Sequence, residues 1–562
     1  MDTYLEHLAH NVEVINISNN LLGYLPNLNR FIKVKTLICN NNKLTELNNL
    51  PNTLTSLICN NNKITELNNL PNTLTSLICN NNKIAELNNL PNTITTLICN
   101  NNKLTELNNL PNTLTTLICN NNKLTKLNNL PNTLITLICN NNKLTKLNNL
   151  PNTLITINCS NNKIVKLSNL PLLLINLYCG YNYLSILILP PQLERLLCYN
   201  NLLLRLRLPK SLTILNCSNN EITKIYNLSN SLTILYCYNN QIKKLNNLSD
   251  VLKVLLCGNN KIIKLKLPKS LNILNCCHNK IMKLDNLQNI SYIICSSNQI
   301  NHLSFSNNKL LDSLDCSNNL ITQLDSLPNS LLQLNCSNNQ IIELDHLPIS
   351  LTELNCSNNE IVELDHLPIS LTELNCSNNQ INNLNYLPNK LIKLDCSKNQ
   401  ITELNILSNT LVTLYCSHNR INQLVVKSIK LIKIWCINNK IKKLLLPTSL
   451  LYLGCSSNQI EKLILPNKLV QLFCDNNRIS DLKYIPDTLK EVLCYNNRLF
   501  TYDIHKLRKL SNYIINNSTT KIIKYIFLYA VKKRCSKYKE ELIKVTMHPK
   551  RMLINFYNNI DF

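Results

Sequence analysis

Cysteine recurs in this chain on a fixed beat. Of its 26 cysteines, 24 run from Cys39, Cys59 and Cys79 to Cys494, and of the 23 intervals between them 16 are 20 residues, six are 19 and one is 21. Asn follows every one of them three residues later, from Asn42 and Asn62 to Asn497. A period this short rules out a single central core. It specifies a solenoid, in which each repeat touches only its neighbours and stacking buries the core.

One repeat, Leu54 to Thr73, reads LTSLICNNNKITELNNLPNT. In Leu57-Ile58-Cys59 the two-residue period of a strand sends Leu57 and Cys59 inward and Ile58 outward. Leu54, Ile64, Leu67 and Leu70 supply the other inward side chains, and Asn62 turns its amide into the coil to bond turn backbone. Pro71 sits where the return segment has no ladder to donate to. A first, degenerate repeat places Val12, Ile15, Ile17 and Asn20 in the same slots, with Ile17 for Cys. The pattern L-x-x-L-x-C-x-x-N-x-I/L resembles the leucine-rich repeat family, with Cys where the third apolar position usually holds Leu. The short period with Leu-Pro resembles the compact repeats of bacterial secreted effectors. The Asn-, Ile- and Lys-rich wording with a Cys ladder is more similar still to leucine-rich repeat proteins of giant DNA viruses. The resemblance implies an α/β-type leucine-rich repeat solenoid: a curved arc of about 25 coils, parallel β-sheet on the concave face and extended convex side. At about 4.8 Å per strand it would run on the order of 115–120 Å. The expected organisation is an N-terminal cap over residues 1–11, the solenoid over 12–497 and a basic helical cap or tail over 498–562.

The thiols read as a packed column, because free Cys behaves as a small hydrophobe. Cys59 with Asn62, and Cys356 with Asn359, stand for the structural ladder. In parallel, in-register coils the β-carbons point the same way, which disfavours disulfides between neighbours. Met1-Asp2-Thr3-Tyr4 opens no basic, apolar leader, so the expectation is a reduced intracellular compartment, host cytoplasm or virion. Zinc-type C-x₂₋₄-C pairs are absent. Cys277 and Cys535, off the beat, are the candidates for exposed thiols.

The net charge of +25 is unevenly spread. Residues 1–300 carry 27 Lys+Arg against 11 Asp+Glu, whereas 301–400 carry 4 against 11, including Asp315, Asp325, Glu343, Glu353, Glu363 and Glu373. Lys43, Lys63, Lys83 and Lys103 are each followed three residues on by Glu; from the fifth coil that Glu becomes Lys. Lys123, Lys126, Lys143, Lys146, Lys163 and Lys166 therefore share one edge, a candidate strip for RNA, phospholipid or an acidic protein. Duplication of one coil after a single Glu-to-Lys change yields the same pattern without a ligand.

Concave sheets are where solenoids bind. The outward column begins as a stripe from Ile38 to Ile138, becomes polar at Asp315, Asn335, Asn355, Asn375 and Asp395, and then turns aromatic. Trp435, the single Trp, with Tyr415, Phe473, Tyr452 and Lys433, forms the candidate partner contact. The alternative is rings packed under neighbouring loops.

Past Asn497 the apolar spacing turns helical at Ile504, Leu507, Leu510 and Ile514, then at Ile522, Ile526 and Phe527. This predicts about three short helices capping the open coil, with no segment able to span a membrane. A stretch ending Thr546-Met547-His548-Pro549-Lys550-Arg551 resembles a short C-terminal signature of other giant-virus proteins. No catalytic constellation stands out: Asp345-His346 and Asp365-His366 are one slot of a copied coil, and four glycines make no phosphate loop. The effector relatives' ligase domains use a Cys-x-Asp loop, which Cys535-Ser536-Lys537 does not match. The expected function is a non-enzymatic, monomeric scaffold without cofactor or metal. It would bind a protein partner, host or viral. The alternatives are a nucleic-acid or anionic-surface binder and a structural particle component.

Overall fold

The computed structural model describes residues 5–498 apart from 385, 405–407, 427, 481 and 483–484. Two compact units divide the chain, Met1–Ile401 and Thr402–Phe562. Both are wound as parallel β-solenoids, with about 25 coils between them.

Each coil contributes one three-residue strand, and its beat is set by the Cys. Ser56–Ile58 pairs in parallel with Thr36–Ile38 on one side and Ser76–Ile78 on the other, Leu57 standing between Leu37 and Leu77. Leu54, Leu57, Cys59 and Ile64 are fully buried, and Leu67 nearly so. The ladder continues past the strand, where Cys59 N donates to Ile78 O at 2.8 Å. Residue identity at a slot thus becomes position in a stack, since a one-residue slip would turn every Leu to water. The degenerate first coil obeys the same code: Val14–Asn16 pairs with Thr36–Ile38, and Ile15 and Ile17 are buried. Ahead of it, Leu5 is buried as well.

Asn carries the turns. Asn62 Nδ2 donates to Cys39 O at 3.0 Å and Cys59 O at 3.1 Å, while its Oδ1 accepts from Leu44 N at 3.0 Å. One side chain therefore ties two coils at three points, in the role expected of it. A second Asn role was not foreseen. Asn41, Asn61 and Asn81, two residues past each Cys, take φ of 55–56°, and Asn49, Asn69 and Asn89 take 55–57°. This is the left-handed region that Asn tolerates better than other non-glycine residues. A chain with four glycines uses Asn in their place. The exposed turn amides also bond to one another, Asn61 Nδ2 reaching Asn41 Oδ1 at 2.6 Å.

The second unit repeats the arrangement with Thr413–Tyr415, Lys433–Trp435, Tyr452–Gly454, Gln471–Phe473 and Glu491–Leu493, paired in parallel and in register. Each unit also has one minor pair on the return side: Arg205–Arg207 with Lys224–Tyr226, and Gln423–Val425 with Lys443–Leu445.

The thiol column is packed as expected, and among the described residues no disulfide joins its cysteines. Two readings change. Cys277 is half-buried rather than open, with Gly258 closely beside its sulfur side. Cys494 is half-exposed although it lies on the beat, because among the described residues a coil covers it on one side only. Cys535 and, from residue 499 on, the helices expected over 498–562 lie outside the described residues. Among the described residues no helix is long and apolar enough to cross a membrane.

Candidate functional site

The outward column of the sheet is less open than strand parity alone implies. From Ile38 to Ile138 the isoleucines are half-buried, because register stacks each ring-less branch directly on the next. Ile294 and Asp315 are closed off, at 7% and 6% exposure. Asp315 Oδ1 accepts from Ser317 N at 3.0 Å. Burial is the main reason its carboxyl stays above the usual range, the Ser317 bonds opposing it. Asp395 repeats this arrangement with Ser397, and burial again pushes it up. Beside this column, Glu353 and Glu373 stand in register, and Lys393 reaches Glu373 at 3.3 Å. Burial and then the Glu373 charge raise the Glu353 carboxyl.

In the second unit, register brings the expected aromatic residues together. Tyr415 lies beside Trp435, and Lys433 beside Tyr452. Lys433 Nζ sits 5.3 Å from the Tyr415 ring centre and 5.5 Å from that of Trp435, so one cation serves two π-faces. All four are half-buried. Phe473 departs from the expected exposed anchor: it is 6% exposed. Gly454 occupies the same column between Trp435 and Phe473. With no side chain there, the two rings close over the gap to 5.5 Å between centroids, at 39°. A Cβ on Gly454 would stand 2.5 Å from indole Cε3. The rings pack against each other. Trp435 Nε1 is buried and has no hydrogen-bond partner among the described residues. A missing partner for a buried indole N–H is costly, and among the described residues it is the buried side-chain polar atom left unmet.

Lys123, Lys126, Lys143, Lys146, Lys163 and Lys166 are all exposed. Backbone bonds fix their stacking, with Lys143 N on Leu124 O at 2.9 Å and Lys163 N on Leu144 O at 2.8 Å. Among the described residues the ion pairs are Glu13–Lys35, Lys283–Asp285 and Lys393–Glu373, so Lys43 and Glu46 do not form one. The residues Asp345, His346, Asp365 and His366 are exposed. Among the described residues no group of three or more His, Cys, Asp or Glu side chains is placed to hold a metal. Gly454 is the site residue that sequence reasoning passed over. Its signal was present: a glycine on a strand, in a chain with three others.

No family model and no curated protein sequence matches the chain. Among solved structures, YopM from Yersinia enterocolitica WA-314 is similar at 30% identity and a TM-score of 0.55, over 86% of this chain and 91% of that one. The plant peptide hormone receptor RGFR1 in complex with RGF2 shares 18% identity with a TM-score of 0.59, over 87% of this chain and 90% of that one. The PEPR1–AtPEP1 structure shares 19% with the same TM-score, over 84% and 76%. These last two likenesses concern the fold alone.

Proposed function

Because the chain belongs to the leucine-rich repeat proteins, we propose that it is a non-enzymatic scaffold that binds a protein partner on the open, concave face of its sheet. The fold hosts many roles, so the reading rests on one observation. Trp435, Tyr415, Lys433 and Tyr452 gather on that face around an indole N–H that nothing in the described chain satisfies. Half-buried aromatics with a desolvated donor are the composition of interface anchors. Phe473, nearly buried, supports the indole from the side instead of touching the partner. A partner would pack on the half-buried Tyr415, Trp435 and Tyr452 rings, and Lys433 would steer an acidic group there. The Cys- and Asn-rich wording favours a giant-virus protein acting in a reduced intracellular compartment on a host or viral partner. Residues 498–562 are proposed to cap the last coil.

Proximity labelling in the producing cell, followed by capture with purified protein, tests this. Tyr415→Ala with Lys433→Ala should abolish capture of the labelled partner while the melting curve stays near wild type. Undiminished capture by that variant would overturn the reading.

A further inference from the structure

The lysine strip belongs to a longer feature. Lys126, Lys146 and Lys166 each stand seven residues past a ladder Cys. Beyond Ile186 the same slot holds Arg205, Lys224, Lys244, Lys264 and Lys283. Eight of nine successive coils thus carry a cation at one position, and all eight are exposed. Their alignment is fixed by backbone pairing: Leu147 with Leu167, Leu167 with Leu187, Arg205 with Lys224, and Leu245 with Leu265, which pairs on with Leu284. At about 4.8 Å per coil, the column runs roughly 38 Å. The whole column lies in the first unit. Acids bound it, Glu106 one coil before Lys126 and Glu343 three coils past Lys283.

Copying of a coil accounts for Lys126, Lys146 and Lys166, but not for the rest. The preceding residue, Thr125 and Thr145 in the copies, becomes Leu204, Ile263 and Met282 further on. The cation persists while its neighbours diverge, and Arg replaces Lys at one coil without loss of charge. Stacked like charges repel, so the folded chain keeps this column against its own electrostatics. Two acids face it. Glu221 is exposed three residues before Lys224, and Asp285 is paired with Lys283 at 3.1 Å.

The one break in the column is not neutral surface. Its coil presents Tyr181 and Tyr183, 55% and 53% exposed, with Ile186 and Ile188 at 67% and 79%. Tyr181 is braced edge-on by Tyr199 at 5.3 Å. Tyr226 adds a ring beneath Lys224 Nζ at 4.5 Å. A straight row of cations flanked by aromatic rings is the composition that holds single-stranded nucleic acid, phosphates on the charges and bases on the rings. A stacked strand rises about 3.4 Å per nucleotide along its axis and lengthens as bases unstack, so a rise of about 4.8 Å per coil can be matched by one nucleotide. A duplex carries its phosphates on a helical path and would leave a straight row after a few contacts. An acidic peptide would satisfy the cations and leave the tyrosines and isoleucines in water.

We infer that the exposed column from Lys126 to Lys283 is a docking ridge for a single strand of RNA, about eight nucleotides long at one phosphate per coil, with Tyr183 as a stacking platform. The ridge is separate from the aromatic cluster of the second unit, and either can fail without the other.

The test is fluorescence anisotropy of a labelled 12-nucleotide oligouridine against the full-length chain at 50–300 mM salt. A plot of log K against log salt should have a slope of about −5.6, about 0.7 for each of eight phosphates. The variant Arg205→Glu/Lys224→Glu/Lys244→Glu should weaken binding at least 30-fold. Lys440→Glu/Lys442→Glu/Lys443→Glu, exposed residues of the second unit with the same change in net charge, should change it less than threefold. Tyr183→Ala should cost about tenfold with oligouridine and nothing with a poly-glutamate peptide. Melting curves identify any variant that fails to fold, and Arg205→Gln then replaces the charge reversals. Equal loss in both triple variants would show that net charge binds, and not this ridge. Absence of oligouridine binding at 100 mM salt, or poly-glutamate competing as well as oligouridine, would also overturn the inference.

Discussion

Replacing Asn359 isolates what the amide ladder contributes. Its Nδ2 donates to Cys336 O and Cys356 O, both at 3.0 Å, and its Oδ1 accepts from Ile341 N at 3.0 Å. The two carbonyls do not depend on it alone. Cys336 O also accepts from Asn339, and Cys356 O from Asn379, at 3.0 Å each. In Asn359→Ala the one group left with nothing is therefore the Ile341 N–H. An orphaned buried donor costs about 1–3 kcal/mol, and losing the two shared bonds brings the total to roughly 2–4 kcal/mol. Asn359→Asp distinguishes the roles of the two ends of the amide. The carboxylate still accepts from Ile341 but turns a charge toward two carbonyl oxygens, so it should destabilise more than Ala at neutral pH and recover as acid protonates it. A repeat array need not unfold as one unit, so the assay is amide hydrogen exchange, read at Ile341 and its neighbours. Protection at Ile341 should fall by a factor of about 30 or more in the Ala variant. A change under about threefold there, or an Asp variant as stable as Ala, would refute this division of labour.

Three further outcomes follow from particular side chains. Gly454→Ala places a Cβ 2.5 Å from Trp435 Cε3 and 2.9 Å from Cζ3; it should cost about 1–3 kcal/mol and shift the emission of the single tryptophan to the red, whereas unchanged emission would deny the packed pair. Asp315→Asn should stabilise the protein at pH 7, because burial raises the wild-type carboxyl: a raised acid contributes its full stability only below the unfolded value near about 3.9 and loses it as the pH climbs through the folded one. The gain should vanish below that pH, as urea denaturation at pH 3 and 7 would show. Cys356→Ser should cost about 1–3 kcal/mol by burying a hydroxyl where a thiol packed, measured by the same denaturation.

The Cys beat made coil boundaries, strand register and the inward Leu–Cys–Asn set legible, because a solenoid converts sequence period directly into stacking. Asn62 was legible for the same reason, its slot never changing. What escaped depended on relations across coils or on backbone conformation. Gly454 lets Trp435 reach Phe473 from two coils away, and outward parity of one strand carries no trace of that. The left-handed turns at Asn41 and Asn61 were written only as Asn-richness, which also suits caps and solvent. The minor pairs on the return side were written more plainly, since Arg205-Leu206-Arg207 alternates as a strand does, but three residues beside so strong a period drew no attention. The basic column read as ending at Lys166 because Tyr183 and Ile186 interrupt both of its rows in one coil.

The measurement closest to the central claim is a count of reactive thiols in native and denatured protein, with each alkylated cysteine located by mass spectrometry. Burial pushes the ladder thiols up, to about 12 at Cys39, Cys79 and Cys159, and the thiolate is the form that reacts. If the beat of cysteines is one packed, reduced column, the native chain should label at Cys277, Cys494 and Cys535 at most, and all 26 cysteines should label once it is denatured. Labelling of mid-ladder thiols such as Cys356 in the native state, or disulfides joining consecutive ladder cysteines, would contradict the column and the register built on it.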